Sequence, residues 1–226
     1  MDLKTSPVKH CKTPYIVYAL VIGTIFVTDR FTALKAYLDI IVAVLFLYIP
    51  ILSLFIKRQH PSHYGINKQG ALNSIKRSIL LALLVFPLYS VGFYFYMKYM
   101  QGIGMGLSTI KLFSQHGIFL FVLNNLLMVA IPEEVFYRGY LQSELRKCDR
   151  KITGLFGVKI GLSFLIVNVM FAIGHLVLIP NISRLAVFFP GLVFSWLREK
   201  DDNIAGSIIF HWLSNILSFL LFSMLL

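Results

Sequence analysis

Long apolar runs are the feature that most constrains the fold of this chain. Residues 37–56 contain a single charge, Asp39, and six other apolar segments follow the same pattern. A helix needs about 20 apolar residues to cross a bilayer, and in lipid its backbone polar groups must be bonded within the segment. The sequence therefore predicts an all-α, polytopic membrane helix bundle with about seven transmembrane helices. The predicted segments are 14–28, 37–56, 79–97, 117–132, 160–179, 184–197 and 204–226.

The composition supports the same class. Of the 226 residues, 58% are hydrophobic and 14% are charged, whereas soluble domains carry about 25% charged residues. The basic residues flank the apolar runs, so the net charge of +11 indicates membrane topology and contact with lipid head groups, not nucleic-acid binding. We expect a single integral membrane domain over residues 1–226, with a motif-bearing core at about 117–226.

Lysine and arginine residues are unequally divided between the loops. With the N-terminus inside, fifteen of the 21 lie in inner loops and five in outer loops, and Arg138 lies within a helix. This excess predicts a multi-pass cell-membrane protein with a cytoplasmic N-terminus. Cys11 and Cys148 both fall on the cytoplasmic side, so we expect them to be reduced and unpaired. The compact length favours a prokaryotic source.

Two adjacent carboxylates stand at the end of an apolar run. Glu133 and Glu134 follow residues 117–131, and each charge near a membrane-helix centre costs about 2.5–3.5 kcal/mol. Glu134 and Arg138 are four apart and can form a helix-end salt bridge. Glu133 is rotated by about 100° and lacks that partner, so a structural role does not explain it. Pro132 frees backbone groups that protein or water must satisfy, which fits a cavity wall.

Polar residues recur in two later apolar segments. Phe171 and His175 are four apart, and so are His211 and Asn215. A single histidine in such a segment is typical of packing, but two of them and an unpaired carboxylate indicate a site. Glutamate with histidine can activate water, and histidine with asparagine can donate hydrogen bonds to a developing oxyanion.

The spacing places the first carboxylate and the first histidine at similar depth. Measured from a turn within 147–159, Glu133 lies 14 residues along one arm and His175 lies 16 residues along the other. At 1.5 Å per residue the two arms differ by about 3 Å. The short sixth segment lets His211 reach the same level. We therefore expect a polar cluster built from three helices.

Three motifs in this order resemble those of the CPBP family of intramembrane proteases. They are Glu-Glu-x-x-x-Arg (133–138), Phe-x-x-x-His (171–175) and His-x-x-x-Asn (211–215). The family, also called Abi, contains CAAX prenyl endopeptidases and bacteriocin-processing proteins. The resemblance covers roughly residues 124–217, and the first three apolar segments carry no mark of the family.

The resemblance implies an activity and a role for each matching residue. It implies an endopeptidase that cleaves a membrane-associated or lipidated protein or peptide. Glu133 would be the general base that activates water, with His175 assisting. His211 and Asn215 would form the oxyanion hole. Glu134 and Arg138 would support the site through their ion pair, and Phe171 would shape it.

The resemblance also implies a glutamate-type mechanism that needs no cofactor. Zinc bound by Glu133 and the two histidines is the less favoured alternative. The sequence contains no His-Glu-x-x-His motif and no pair of histidines at i, i+4, the spacing that places two zinc ligands on one helix face.

Two functions of other classes stay open. A non-catalytic membrane regulator, scaffold or immunity protein could keep the fold, although it has no evident reason to keep so many polar groups in the membrane. A transporter could use Glu133 and the histidines as a proton relay, but no inverted repeat is visible. The expected partners are membrane lipids and a substrate such as a CAAX protein, a bacteriocin leader, a pheromone precursor or a sorting tail.

Overall fold

A computed structural model describes residues 11–104, 106, 117–178 and 180–225. In these ranges the chain is almost entirely helical, and one short antiparallel hairpin is added. The helices are α1 (Thr13–Arg30), α2 (Thr32–Lys35), α3 (Leu38–Lys57), α4 (Ala71–Met100), α5 (Gly117–Arg146), α6 (Leu162–Leu178), α7 (Phe188–Asp201) and α8 (Ala205–Ser223). The hairpin strands are β1 (Thr153–Leu155) and β2 (Val158–Ile160), and 3-10 turns occupy Pro61–Tyr64 and Ile182–Val187.

Four helices of the described chain are long and apolar enough to cross a membrane, namely α3, α4, α5 and α8. α6 is apolar but shorter. The outward faces carry large apolar side chains, with Phe55 81% exposed and Leu88 70% exposed, as expected where a helix faces lipid. The all-α membrane bundle is therefore confirmed, whereas the predicted number of seven transmembrane helices is not.

The core lies where α5 crosses α3, α6 and α7. Aromatic rings fill this crossing: Phe46 of α3 stacks on Phe136 of α5 at 4.7 Å, and Tyr137 meets Phe171 of α6 edge-on at 5.0 Å. Phe136, Tyr137 and Phe171 are at most 2% exposed. Such aromatic pairs add about 0.5–1.5 kcal/mol beyond the burial of their surface. α5 is therefore held on several sides, which fixes the direction of its polar side chains.

The expectation for the two cysteines was wrong, because the structure joins Cys11 and Cys148 in a disulfide with Cα atoms 5.8 Å apart. Cys11 precedes α1 and Cys148 follows α5, so the bond ties these two helix ends together. The expectation rested on compartment, not on distance in the fold. A disulfide favours an oxidising compartment, whereas the lysine and arginine distribution favours the cytoplasm, so the orientation stays a prediction.

The hairpin occupies the stretch in which the sequence placed the turn between two arms. Phe156 (φ 51°) and Gly157 (φ 73°) form its two-residue turn, and two positive φ values are what a type I′ hairpin turn requires. Trp196 Nε1 of α7 donates to the Phe156 carbonyl at 3.2 Å, and Lys200 Nζ donates to the Gly157 carbonyl at 3.3 Å. The turn is thus fixed to α7.

Candidate active site

The central part of α5 changes its winding around the two glutamates. Residues Asn125–Ala130 and Val135–Leu141 are π-helical, and Ile131–Glu134 between them is α-helical. Pro132 lacks an N–H and its ring crowds the carbonyl of the preceding turn, and a wider turn relieves that crowding. π-helical turns inside α-helices occur frequently at functional sites.

Glu134 and Arg138 form the buried ion pair predicted from their spacing. Both side chains are completely buried, and Arg138 Nη1 donates to Glu134 Oε1 at 3.3 Å. Arg138 Nη2 donates to Asn168 Oδ1 of α6 and to the Gly191 carbonyl of α7, each at 3.1 Å. Its guanidinium also lies over the Phe171 ring, 4.4 Å from the ring centre. One arginine thus connects three helices through charge-assisted hydrogen bonds.

Asn168 completes this buried network. Its Nδ2 donates to Ser195 Oγ of α7 at 2.9 Å and to the Phe164 carbonyl at 2.7 Å. The close approach depends on Gly191, where an added Cβ would lie 2.7 Å from Asn168 Oδ1 and 3.2 Å from Arg138 Nη2. A larger residue at this position would displace the groups that hold Arg138.

The two histidines approach Glu133 from α6 and α8. His175 Nε2 and His211 Nε2 each lie 3.9 Å from Glu133 Oε2. These distances are longer than a hydrogen bond. Glu133 Oε2 is buried and has no hydrogen-bond partner among the described residues. The structure thus brings the predicted carboxylate and both predicted histidines together, with three polar atoms directed at one small region.

The hydrogen bond that Nδ1 makes in each histidine ring determines whether Nε2 of that ring donates or accepts a hydrogen bond. His175 Nδ1 is 3.0 Å from the Phe171 carbonyl, and His211 Nδ1 is 2.9 Å from Glu134 Oε1. A carbonyl only accepts, and so does an ionised carboxylate such as one paired with Arg138. Both Nδ1 atoms must therefore carry the proton, which leaves Nε2 as an acceptor in the neutral ring and as a donor only in the imidazolium form.

Asn215 lies one turn after His211 on α8. Its Nδ2 donates to Asn125 Oδ1 of α5 at 3.2 Å. An amide nitrogen has two protons, so this bond leaves one N–H of Asn215 for another acceptor. Phe171 lies among the polar groups, with its ring centre 4.5 Å from the His175 ring and 6.0 Å from the His211 ring.

Two asparagines at the site were not predicted from the sequence. Asn125 and Asn168 interrupt apolar runs, and that signal was available, because a polar side chain inside a membrane helix needs a partner. Tyr137 belongs to the Tyr-Arg-Gly run that follows the glutamate pair and strengthens the resemblance, but its packing role depends on the fold. It is 2% exposed, and Gly174 makes room for it, since a Cβ there would lie 2.5 Å from the Tyr137 hydroxyl.

The donor atoms around Glu133 lie too far apart for a tetrahedral zinc site. Within the described ranges, no three His, Cys, Asp or Glu side chains form a group that could hold a metal ion. Glu133 Oε2 is 3.9 Å from each Nε2, whereas tetrahedral zinc brings such ligand atoms to about 3.4 Å of one another. Zinc stays an alternative that only metal analysis of the purified protein can decide.

Residues 115–217 match the family described as Type II CAAX prenyl endopeptidase Rce1-like. The matched stretch contains the two glutamates, both histidines and Asn215. Searches of characterised proteins and of solved structures found no match.

Proposed function

Because residues 115–217 of this chain match the Rce1-like family of CAAX endopeptidases, we propose that the protein is an intramembrane endopeptidase acting on a membrane-associated or lipidated protein or peptide. The observation that carries the proposal is the convergence of Glu133 Oε2 with the Nε2 atoms of His175 and His211. A water molecule between these atoms could donate to the carboxylate and to one ring nitrogen together.

Glu133 is the general base in this proposal. Its carboxylate takes a proton from the water as the water oxygen attacks the scissile carbonyl carbon. The same carboxylic acid then gives the proton to the departing amine as the C–N bond breaks, so the enzyme ends in its starting state. His175 orients the water, because its Nε2 lone pair accepts the second water proton as a hydrogen bond.

His211 and Asn215 stabilise the oxyanion in different ways. Asn215 can donate its second N–H whatever the pH, and Asn125 holds the amide in place. His211 can donate from Nε2 only as the imidazolium, since its Nδ1 proton is directed at Glu134. Glu134 Oε1 accepts from His211 Nδ1 and from Arg138 Nη1, so the ion pair fixes the orientation of the His211 ring. In this proposal Glu133 therefore acts on the water, and Glu134 supports His211.

We expect Asn215→Ala to lower turnover by a factor of about 10²–10³ and to leave a trace of cleavage, because removing one oxyanion donor typically has that effect. The measurement is the cleavage rate at saturating substrate. Ser214→Ala is the matched control, because among the described residues Ser214 Oγ bonds only the Phe210 carbonyl of its own helix. Equal rates for the two variants would remove Asn215 from the oxyanion hole.

The function itself is tested by comparing protein and peptide termini. Wild type and Glu133→Ala are expressed in the native host, and the termini of membrane proteins and released peptides are compared. We expect termini that form only with the wild type, which would also identify the substrate. Identical termini, with both proteins inserted in the membrane, would favour a non-catalytic regulator or immunity protein instead.

We also propose that the protein spans the cell membrane several times, with its N-terminus in the cytoplasm, in a prokaryotic host. The fifteen inner lysine and arginine residues support this orientation.

A further inference from the structure

The β1–β2 hairpin lies outside the candidate active site, at the boundary of the membrane. It joins α5, which ends at Arg146, to α6, which begins at Leu162. α5 is long and apolar enough to cross a bilayer, so the segment that follows it emerges at the membrane surface. A loop in this place contacts water, lipid head groups or both.

The hairpin carries exposed apolar side chains in a segment that would otherwise be polar. Phe156 at its turn is 78% exposed, and Ile152 and Leu155 beside it are 52% and 49% exposed. Trp196 and Lys200 hold the two turn carbonyls. The turn therefore presents Phe156 outward in a fixed conformation instead of folding it onto the protein.

Three exposed cations lie in the same segment: Arg150, Lys151 and Lys159. None of the ion pairs among the described residues involves them. The one acid of the segment, Asp149, is engaged with Ser163, whose backbone N–H donates to it at 2.9 Å. The hairpin thus combines unpaired positive charge with projecting apolar surface.

A cleft of about 440 Å³ runs between the hairpin and the ends of α5 and α7. Arg146, Lys159 and Glu199 line it together with hairpin residues 154–158. Glu199 already binds Arg146 at 2.7 Å, so Lys159 is the cation of the cleft that is left for a ligand. Its size and charge suit a phosphate-bearing head group.

We propose that the hairpin is an interfacial anchor that binds the anionic phospholipid layer. Phe156 and Leu155 enter the boundary between head groups and acyl chains, and Arg150, Lys151 and Lys159 contact lipid phosphates. Aromatic residues with basic neighbours are the composition of segments that lie in this boundary, and basic residues next to a membrane helix are attracted to anionic lipids. The proposal rests on the fold and does not depend on the catalytic mechanism.

The test uses the full chain in vesicles of phosphatidylcholine, with or without phosphatidylglycerol, and with acyl chains brominated near the head group. Phe156→Trp reports contact, because bromine quenches tryptophan emission at short range. The emission of the unsubstituted protein, from Trp196 and Trp212, is subtracted. Bromine in both leaflets makes the result independent of the direction of insertion.

We expect the added emission to be strongly quenched, and more so when phosphatidylglycerol is present. Lys151→Gln with Lys159→Gln, combined with Phe156→Trp, should lose the dependence on phosphatidylglycerol. The matched control neutralises two exposed lysines of the α3–α4 side, Lys68→Gln with Lys76→Gln, and should keep it. Helical content by circular dichroism checks that each variant is folded.

Two results would overturn the proposal. Emission that brominated lipid does not quench would show that the tip faces water and is free for a protein partner. Equal quenching with and without phosphatidylglycerol would show that the tip enters the bilayer through its apolar side chains alone, without recognition of anionic head groups.

Discussion

Glu133→Gln is expected to abolish peptide cleavage while the protein stays folded. Glutamine has nearly the same shape but cannot take a proton from water, and a general base contributes about 10²–10⁴ in rate. The fold should tolerate the change, because Glu133 Oε2 bonds no described residue whereas the neighbouring Glu134 holds both Arg138 and His211. The measurements are the cleavage rate and the thermal unfolding midpoint in detergent.

Glu144→Gln is the matched control for this prediction. Glu144 lies on the same helix and accepts from Lys57 at 2.7 Å and from Lys147 at 2.8 Å, so its loss should lower the unfolding midpoint and leave the chemistry unchanged. The two variants thus separate a catalytic carboxylate from a structural one. A Glu133→Gln protein that cleaves at the wild-type rate would exclude Glu133 as the base.

Arg138→Met is expected to have the largest effect on stability, lowering the free energy of unfolding by about 3–5 kcal/mol. Removing one partner of a buried ion pair leaves the other charge buried without compensation. Here Glu134 would lose its cation, and Asn168 and the Gly191 carbonyl would lose their donor. The change is measured as the shift of the unfolding midpoint in denaturant, with helical content as the signal.

Lys147→Met serves as the control for Arg138→Met, since it breaks a half-exposed pair and leaves Glu144 bound to Lys57. A partly exposed pair is worth about 1 kcal/mol or less. If Arg138→Met does not fold, Arg138→Lys keeps the charge and removes the planar fork, and it should fold with intermediate stability. Arg138→Met and Lys147→Met of equal stability would show that Arg138 does not hold the three helices together.

Local spacing accounts for the parts of the site that could be predicted from the sequence. Glu134 and Arg138 pair as their i, i+4 separation predicts, and the nearly equal arm lengths around the turn are consistent with the approach of His175 to Glu133. These relations depend on the rise of a helix and hold wherever the chain is helical. The catalytic roles of these residues stay predictions until the variants are measured.

Features that depend on tertiary structure could not be predicted in this way. Cys11 and Cys148 are 137 positions apart, and no local pattern joins them. The π-helical turns of α5 arise from the interplay of Pro132 with its packed neighbours. Hydropathy also gave a wrong start for α4, which begins at Ala71 and not at the predicted residue 79. Lys76 and Arg77 lower the local hydropathy, but charged residues can lie on the solvated face of a helix.

The proposed separation of roles between the two adjacent glutamates offers a way to capture the substrate. A Glu133→Gln protein would keep the buried architecture, the histidines and Asn215, and so would keep the surfaces that recognise the scissile segment. Without turnover, the bound segment leaves only by dissociation, and its residence time lengthens. Photo-crosslinking in membranes of the host, followed by mass spectrometry of the adduct, would then retrieve the natural substrate directly from its own lipid environment.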